Sequence, residues 1–440
     1  MAHLFPIHAV RFNDARDGRD ISRYIAPPYD VLDEAPKQAL LKKERHNIVA
    51  IDLPVTPPKT LGPDEAYERA QAQYRQWLSE GVLVKETSPV LYAYEQRFSI
   101  AGRTYVRRGL FATLQTEEYN QPHGIFRHEH TIRGGTDDRL KLMTATDAQL
   151  SPVFAVFDDH EGIVQAELKR HCSDRPCDFE GRTEHDQVEH RCWRIDDPDA
   201  YERLRAVFES KDVFVADGHH RYTTALNYSK QHPNTPNASR CLFVLVPMQD
   251  PGVVVLPTHR IIMGLENFSF TALERILANY PQLELVRSNH GLQDIHALEN
   301  SLPDQGPHAM GLVEPQTNDT FILRSKVADP LAEFTPDEPA VWRTLDVAIL
   351  HELVIDRMLR KHFGADAVSY RYHHDINEAL ALAKTHSPSL VVIVQPTSLK
   401  EVCEVAKADA VMPPKSTFFF PKIATGMVIN ALGADSKNAR

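Results

Sequence analysis

Two spacings of apolar residues alternate along the chain, and each switch between them marks a change of element. In PDEAYERAQAQYRQWLSEG (63–81) the apolar positions recur every three to four residues, which predicts an amphipathic helix closed by Gly81. In VLYAYEQRFSIAGRTYVRRGLFATLQT (90–116) two strand-like runs flank Ala101–Gly102, which predicts a hairpin. The stretch ISRYIAPPYDVLDEAPKQALLKKERHN (21–47) turns at Pro27–Pro28 and becomes helix-compatible from about Glu34, and NIVAIDLP (47–54) reads as a strand. VFVADG (213–218) reads as a short strand running into the helix HRYTTALNYSKQH (220–232), while RCLFVLVPM (240–248) and VVVLPTHRII (253–262) read as further strands.

After about Gly264–Asn267 the helix FTALERILANYP (270–281) opens a second, smaller alternation, with the helix TLDVAILHELVIDRML (344–359) and the strand LVVIVQPT (390–397). The expected organisation is therefore two domains, 1–265 and 266–440. The tail VMPPKSTFFFPKIATGMVINAL (411–432) is too rich in bulky apolar residues for a linker and is expected to pack back on the body. Interleaved helices and strands make the class α/β, with α+β as the variant. The polar, acidic stretch Asp174 to His190 reads as a surface excursion, and no internal repeat or low-complexity tract occurs.

Composition narrows what such a fold does. With 440 residues and 42% hydrophobic content the chain can bury a sizeable core. A formal charge of −11 argues against a broad grip on nucleic acid or anionic lipid, so any anion site must be local. Cys172, Cys177, Cys192, Cys241 and Cys403 form no Cys-x-x-Cys pair, which favours reduced thiols in a cytoplasm. Cys172, Cys177 and Cys192, with His185 and His190 nearby, match no common zinc spacing. Residues 1–11 carry Pro6 and His8 where a signal peptide needs an unbroken apolar stretch, and no run is long enough to span a membrane, so the expectation is a cytoplasmic protein without membrane contact.

Three concentrations of chemistry remain. At the strand-to-helix corner Gly218 lets the backbone approach a ligand, the helix start offers unpaired N–H groups, and Arg221 supplies a planar fork, a combination suited to phosphate. His219 and His220 add donors, and Asp217 is the candidate to cap the helix, orient a histidine or hold a divalent cation beside the phosphate. The second concentration, FRHEHTIRGGTDDRLKLMTATDAQLSP (126–152), brings His128, Glu129, Asp138 and Arg139 together with hydroxyls, the mixture that phosphoryl transfer uses to position a nucleophile and neutralise charge. The third is MPPKSTFFFPK (412–422), in which Lys415, Ser416 and Thr417 are candidate phosphate contacts although the glycine pattern of a P-loop is missing. His259 and Arg260 in LPTHR read as the polar tip of a packed strand.

Taken together, APPYDV (26–31), HEHT (128–131), DRLKLMTAT with LSPVF, VADGHHRYTTAL, LPTHR and MPPKSTFFFPK resemble the signatures of a widespread bacterial and archaeal family of unknown function, from about Ile7 to Leu432. The corner alone resembles the phosphate-binding turn of the ParB/sulfiredoxin-like superfamily. Sulfiredoxins place a catalytic cysteine where this chain has His219, and partition proteins carry Gly-Glu-Arg-Arg where it has Gly218 to Arg221. Free-serine kinases carry Asp-Gly-His-Thr-Arg, which is similar at every position except His220.

That resemblance implies a ParB/sulfiredoxin-like core and an enzyme that moves a phosphoryl group between a nucleotide or another phosphoanhydride and a small hydroxyl compound, free L-serine first. On this reading Gly218, His219, His220 and Arg221 hold the phosphates of ATP, ADP or pyrophosphate, with Asp217 placing Mg²⁺. Glu129 is the expected base, His128 is its reserve, and Arg139 and Lys415 neutralise charge. The alternatives are a non-catalytic nucleotide- or phosphometabolite-binding regulator and a phosphodiesterase or nuclease. The implied partner is a small molecule, with no nucleic acid, and the oligomeric state is left open.

Overall fold

The computed structural model describes residues 2–173, 175–385 and 389–433. The class is mixed α/β. The chain divides into two compact units: one comprises the residues up to Arg127, Thr131–Val254 and the tail from Pro421; the other comprises His128–His130 and Val255–Phe420. Against the expected division at 265, the strand His259–Met263 already lies in the second unit's sheet, paired on both sides, so the division falls near Val255. The residues from Pro421 onward count with the first unit instead of closing the second.

The first unit is built on a nine-stranded mixed sheet. Its spatial order is Ile125–Phe126, Val213–Asp217, Val153–Phe157, Arg240–Pro247, Arg103–Gln115, Leu91–Ile100, Val188–Ile195 and Phe179–Thr183, with Leu4–Phe5 added on Arg103–Gln115. The central strands Val153–Phe157 and Arg240–Pro247 are continuous apolar runs because both faces are covered. The hairpin turns at Ala101–Gly102, where both residues have positive φ. Helix Arg133–Thr146 packs between helices Asp64–Ser79 and His219–Gln231. A four-stranded sheet threads the tail strand Ile429–Ala431 between Ala9–Phe12 and Ala148–Gln149.

Two segments differ from the sequence reading. The run 47–54 is no strand: Val49–Asp52 is a helical turn, because the Asn47 side chain accepts the Val49 N–H (3.1 Å) and donates to the Arg23 and Ile25 carbonyls (2.9 and 2.8 Å). The polar excursion is largely sheet: Phe179–Thr183 and Val188–Ile195 form an antiparallel ladder in which buried and outward positions alternate. Its charges occupy the outward positions, so composition masked the period of two. Asp174 lies outside the described residues.

The second unit carries a six-stranded antiparallel sheet in the order Leu283–Arg287, Asp319–Ser325, Met310–Glu314, Ser389–Ile393, His259–Met263 and Ser369–His373. Core residues fill both faces, Leu312 and Val392 on one and Val313 and Val391 on the other. The helix predicted over 344–359 forms, but Ile349–Arg360 winds with the wider i to i+5 pattern. No helix among the described residues is long and apolar enough to cross a membrane.

Candidate functional site

The corner after Val213–Asp217 is shaped by two backbone devices. Register against Val153–Phe157 slips between Val215 and Asp217, a bulge that re-aims the end of the strand. Gly218 then adopts φ +96, and a Cβ there would lie 2.8 Å from the Arg221 Nε, so only glycine serves. Helix His219–Gln231 starts with no side-chain cap, and its N-terminal end carries the positive pole of the helix dipole.

Asp217 is the centre of a charge cluster. Its Oδ2 accepts from the Arg221 guanidinium and its Oδ1 from Lys422 Nζ at 2.5 Å. Burial pushes this carboxyl upward, but Lys422 and Arg221 outweigh burial and hold it well below the usual carboxylate range. With both oxygens engaged by cations, Asp217 does not fit the expected Mg²⁺ ligand, and no group of three metal-ligating side chains forms among the described residues. Arg221 also departs from its expected role. Its other terminal nitrogen donates to the Pro152 carbonyl, and the side chain is 7% exposed, so the fork is spent inside the protein.

Lys422 was not among the residues singled out from the sequence. Buried Arg107 donates to the Pro421 carbonyl (2.5 Å) and to Gln96 Oε1 (Nε at 3.0 Å), and Gln96 Nε2 donates to the Lys422 carbonyl at 3.0 Å. These two hairpin residues pin the 421–422 backbone so that Nζ meets Asp217. Burial drops the Arg107 guanidinium to about 10, and its charge rests over the Phe154 ring, 4.6 Å from the centroid. The signal was the second lysine of MPPKSTFFFPK, passed over for the first.

The histidines divide. His219 is 2% exposed. His220 Nε2 accepts the Ile132 N–H at 3.0 Å, which leaves the ring proton on Nδ1 and ties the corner to the start of Arg133–Thr146. Only glycine fits opposite, since a Cβ on Gly135 would lie 2.8 Å from the His220 ring.

A second buried cluster belongs to the same unit. Arg139, 5% exposed, donates to Asp138 Oδ2 (2.8 Å) and to the Asp52 carbonyl (2.5 Å), lies 3.4 Å from Asp52 Oδ1, and covers the Tyr29 ring at 4.1 Å. Tyr67 donates to Asp138 Oδ1 at 2.8 Å. Arg139 is thus committed to internal acids and is not a free neutraliser of a transferring group. Burial raises the Asp52 carboxyl against the pull of Arg139 and Arg221, while Asp217, then Asp30, Tyr29 and Asp52 hold the Arg221 charge against burial. A cavity of about 30 Å³, room for a water, separates the clusters and is lined by Asp52, Arg139, Ser151, Arg221 and Thr224 among others. APPYDV, the 47–54 turn, DRL and ADGHHR therefore converge within one unit.

The remaining candidates lie in the second unit. His128, 2% exposed, shares a hydrogen bond with the Thr417 hydroxyl (Nε2 to Oγ1, 3.1 Å), and its carbonyl accepts the Met412 N–H. Glu129 is half-buried and adds to the upward shift of Tyr372, which burial leads. Lys415 is exposed at φ +58, and its carbonyl accepts from Arg260 at 3.2 Å. The Ser416 hydroxyl donates to the Pro413 carbonyl (2.6 Å), closing a turn. His259 and Arg260 are fully buried, as expected of a packed strand, and His259 Nε2 lies 3.2 Å from Glu299.

The family model described as protein of unknown function (DUF1015) matches residues 4–348. The chain belongs to this family. Within DUF1015 the sequence signatures from APPYDV to LPTHR all fall inside the matched span, and Lys422 falls beyond it. No curated protein matches the chain. Among solved structures, this DUF1015 chain is similar to a conserved hypothetical protein from Pyrococcus furiosus (13% identity, TM-score 0.33, 72% of this chain and 95% of that one). It is also similar to a free serine kinase in complex with AMP (14%, 0.33, 71% and 94%) and to a C-terminally truncated SbnI from Staphylococcus aureus (10%, 0.32, 70% and 84%).

Proposed function

We propose that the Asp217–Arg221 corner binds a phosphate-bearing small molecule and that the protein is a phosphotransferase. The observation that carries this reading is the uncapped helix start behind a left-handed Gly218, flanked by a lysine whose carboxylate partner is fixed. Backbone N–H groups of the first helical turn bind phosphate oxygens, and Lys422 supplies the cation that Arg221 does not. Arg221 acts behind the ligand, holding Asp217 and the strand end in place.

The nucleotide or phosphoanhydride donor, the free L-serine acceptor and a ParB/sulfiredoxin-like core are proposed on the resemblance of Asp-Gly-His-x-Arg to the corner of free-serine kinases. In the reaction the acceptor hydroxyl attacks the phosphorus and releases the shortened donor. Glu129 is proposed to take the hydroxyl proton on the chemistry of the HEHT stretch. A cytoplasmic location is part of the proposal, since its substrates are free metabolites.

Labelled ATP, ADP and pyrophosphate incubated with the full chain and pooled amino acids and polyols test the proposal. Labelled phosphoserine is expected, and Lys422→Met should weaken donor binding at least about tenfold, the scale of a lost hydrogen bond to a charged group. Binding without product overturns the transferase in favour of a regulator, and nucleotides released from RNA or DNA overturn it in favour of a nuclease.

A further inference from the structure

The second unit contains a groove of about 610 Å³ whose wall chemistry runs against the rest of the chain. In a protein of formal charge −11, Arg275, Arg357, Lys361 and His362 line it with Tyr280 and Phe334, and no carboxylate forms part of its walls. The framework behind the charges is fixed. Arg357 Nη2 donates to the Phe334 carbonyl (3.0 Å), its guanidinium lies 5.1 Å from the Phe334 centroid, and its carbonyl accepts from Tyr280 Oη (2.9 Å). The Arg357 Nε, shut off from solvent, has no acceptor. The helix that presents Arg357 is the widened segment Ile349–Arg360, a winding often found where helices serve ligands. Glu352, on the same helix, senses the Arg357 charge, while burial first, and then Asp356, push its carboxyl upward.

We infer that this groove is a second ligand site, taking a small phosphorylated molecule with a planar ring. Arg275, Lys361 and His362 supply the anion contacts with the Arg357 charge behind them, and the packed Tyr280 and Phe334 rings, 6.3 Å apart, supply an aromatic wall for the planar ring. The volume is that of a metabolite pocket. The site lies wholly in the second unit and is independent of the Asp217–Arg221 corner.

Equilibrium dialysis of the full chain against labelled ADP, with AMP and pyrophosphate as competitors, tests it. Arg275 and Lys361 are both exposed, so Arg275→Ala/Lys361→Ala leaves the core intact. Two ADP per chain are expected. The double variant should weaken one of them at least about tenfold and leave the other unchanged, while Lys422→Met acts on the other alone. Phe334→Leu should weaken AMP at the groove more than pyrophosphate. A single ADP per chain that is sensitive to the double variant and indifferent to Lys422→Met supports the groove while removing the corner's role. If neither ADP, AMP nor pyrophosphate shows binding tighter than about 1 mM that the double variant weakens, the groove is not a ligand site. Groove binding of AMP and pyrophosphate that Phe334→Leu leaves equal overturns the ring.

Discussion

Arg221 separates two pictures of the corner, a fork for the ligand and a buttress for Asp217. In the second, Arg221→Ala removes the guanidinium from Asp217 Oδ2 and from the Pro152 carbonyl, and Asp217 keeps the Lys422 ammonium on Oδ1. A lost hydrogen bond to a charged group is worth about 1.5–3 kcal/mol and a bared buried carbonyl about 1–3 kcal/mol. Removing one member of a buried pair falls at about 3–5 kcal/mol, which agrees with their sum. Taking a urea slope of about 3 kcal/mol/M for a unit of this size, the midpoint should drop by roughly 1–1.7 M.

The tryptophans allow the first unit to be followed alone. Trp77 and Trp193 are buried in it, and Trp342 is the third and belongs to the second unit. In a Trp342→Phe background, fluorescence therefore reports the first unit. Arg221→Lys restores a point charge for Asp217 but not both bonds, so its midpoint should fall between the two. A Trp342→Phe/Arg221→Ala protein within about 0.3 M of its parent would refute the buttress and return Arg221 to the ligand.

Other outcomes follow from the same geometry. His190, held between Tyr94 Oη (2.7 Å) and Thr183 Oγ1 (3.0 Å), is pushed down to about 3 by burial, then by Arg107. The unfolded chain binds its proton near pH 6.5 and the native one does not, so stability present above that pH is lost as pH falls toward 3, by up to about 1.4 kcal/mol per pH unit; His190→Gln should flatten this limb in urea titrations. Burial raises the thiols of Cys172, to about 12, and of Cys177, Cys192 and Cys241, so replacing all five cysteines should leave turnover intact, and turnover lost in a folded variant with ligand affinity kept would point to thiol chemistry. Glu129→Gln should lower turnover about 10²–10⁴-fold with ligand affinity within a few-fold, and near-normal rates would move the base elsewhere.

Much of the frame was legible because periodicity is local. The hairpin about Ala101–Gly102, the helix Asp64–Ser79 and the strand-to-helix corner all announce themselves within a dozen residues. What failed depended on partners far away in sequence. Asn47 turns a strand-like run into a helix by reaching Arg23 and Ile25, and the ladder at 179–195 hides behind outward charges. The same holds at the site. Arg139 and Arg221 look like ligand contacts in a string of letters, and only the fold reveals that Asp52, Asp138 and Asp217 already occupy them. Lys422 sits 205 residues from Asp217, a separation that pattern reading does not bridge.

The tail strand has a consequence for biosynthesis. Ile429–Ala431 is the inner strand joining Ala9–Phe12 to Ala148–Gln149, and Lys422 arrives on the same segment. A ribosome therefore makes residues 255–420 in full before the first unit receives the pieces that close its small sheet and compensate Asp217. Until then the nascent unit has two open strand edges and a corner with one cation too few. Its completion waits until residues 255–420 have been made, and the interval before it is when the chain is most exposed to chaperones and proteases.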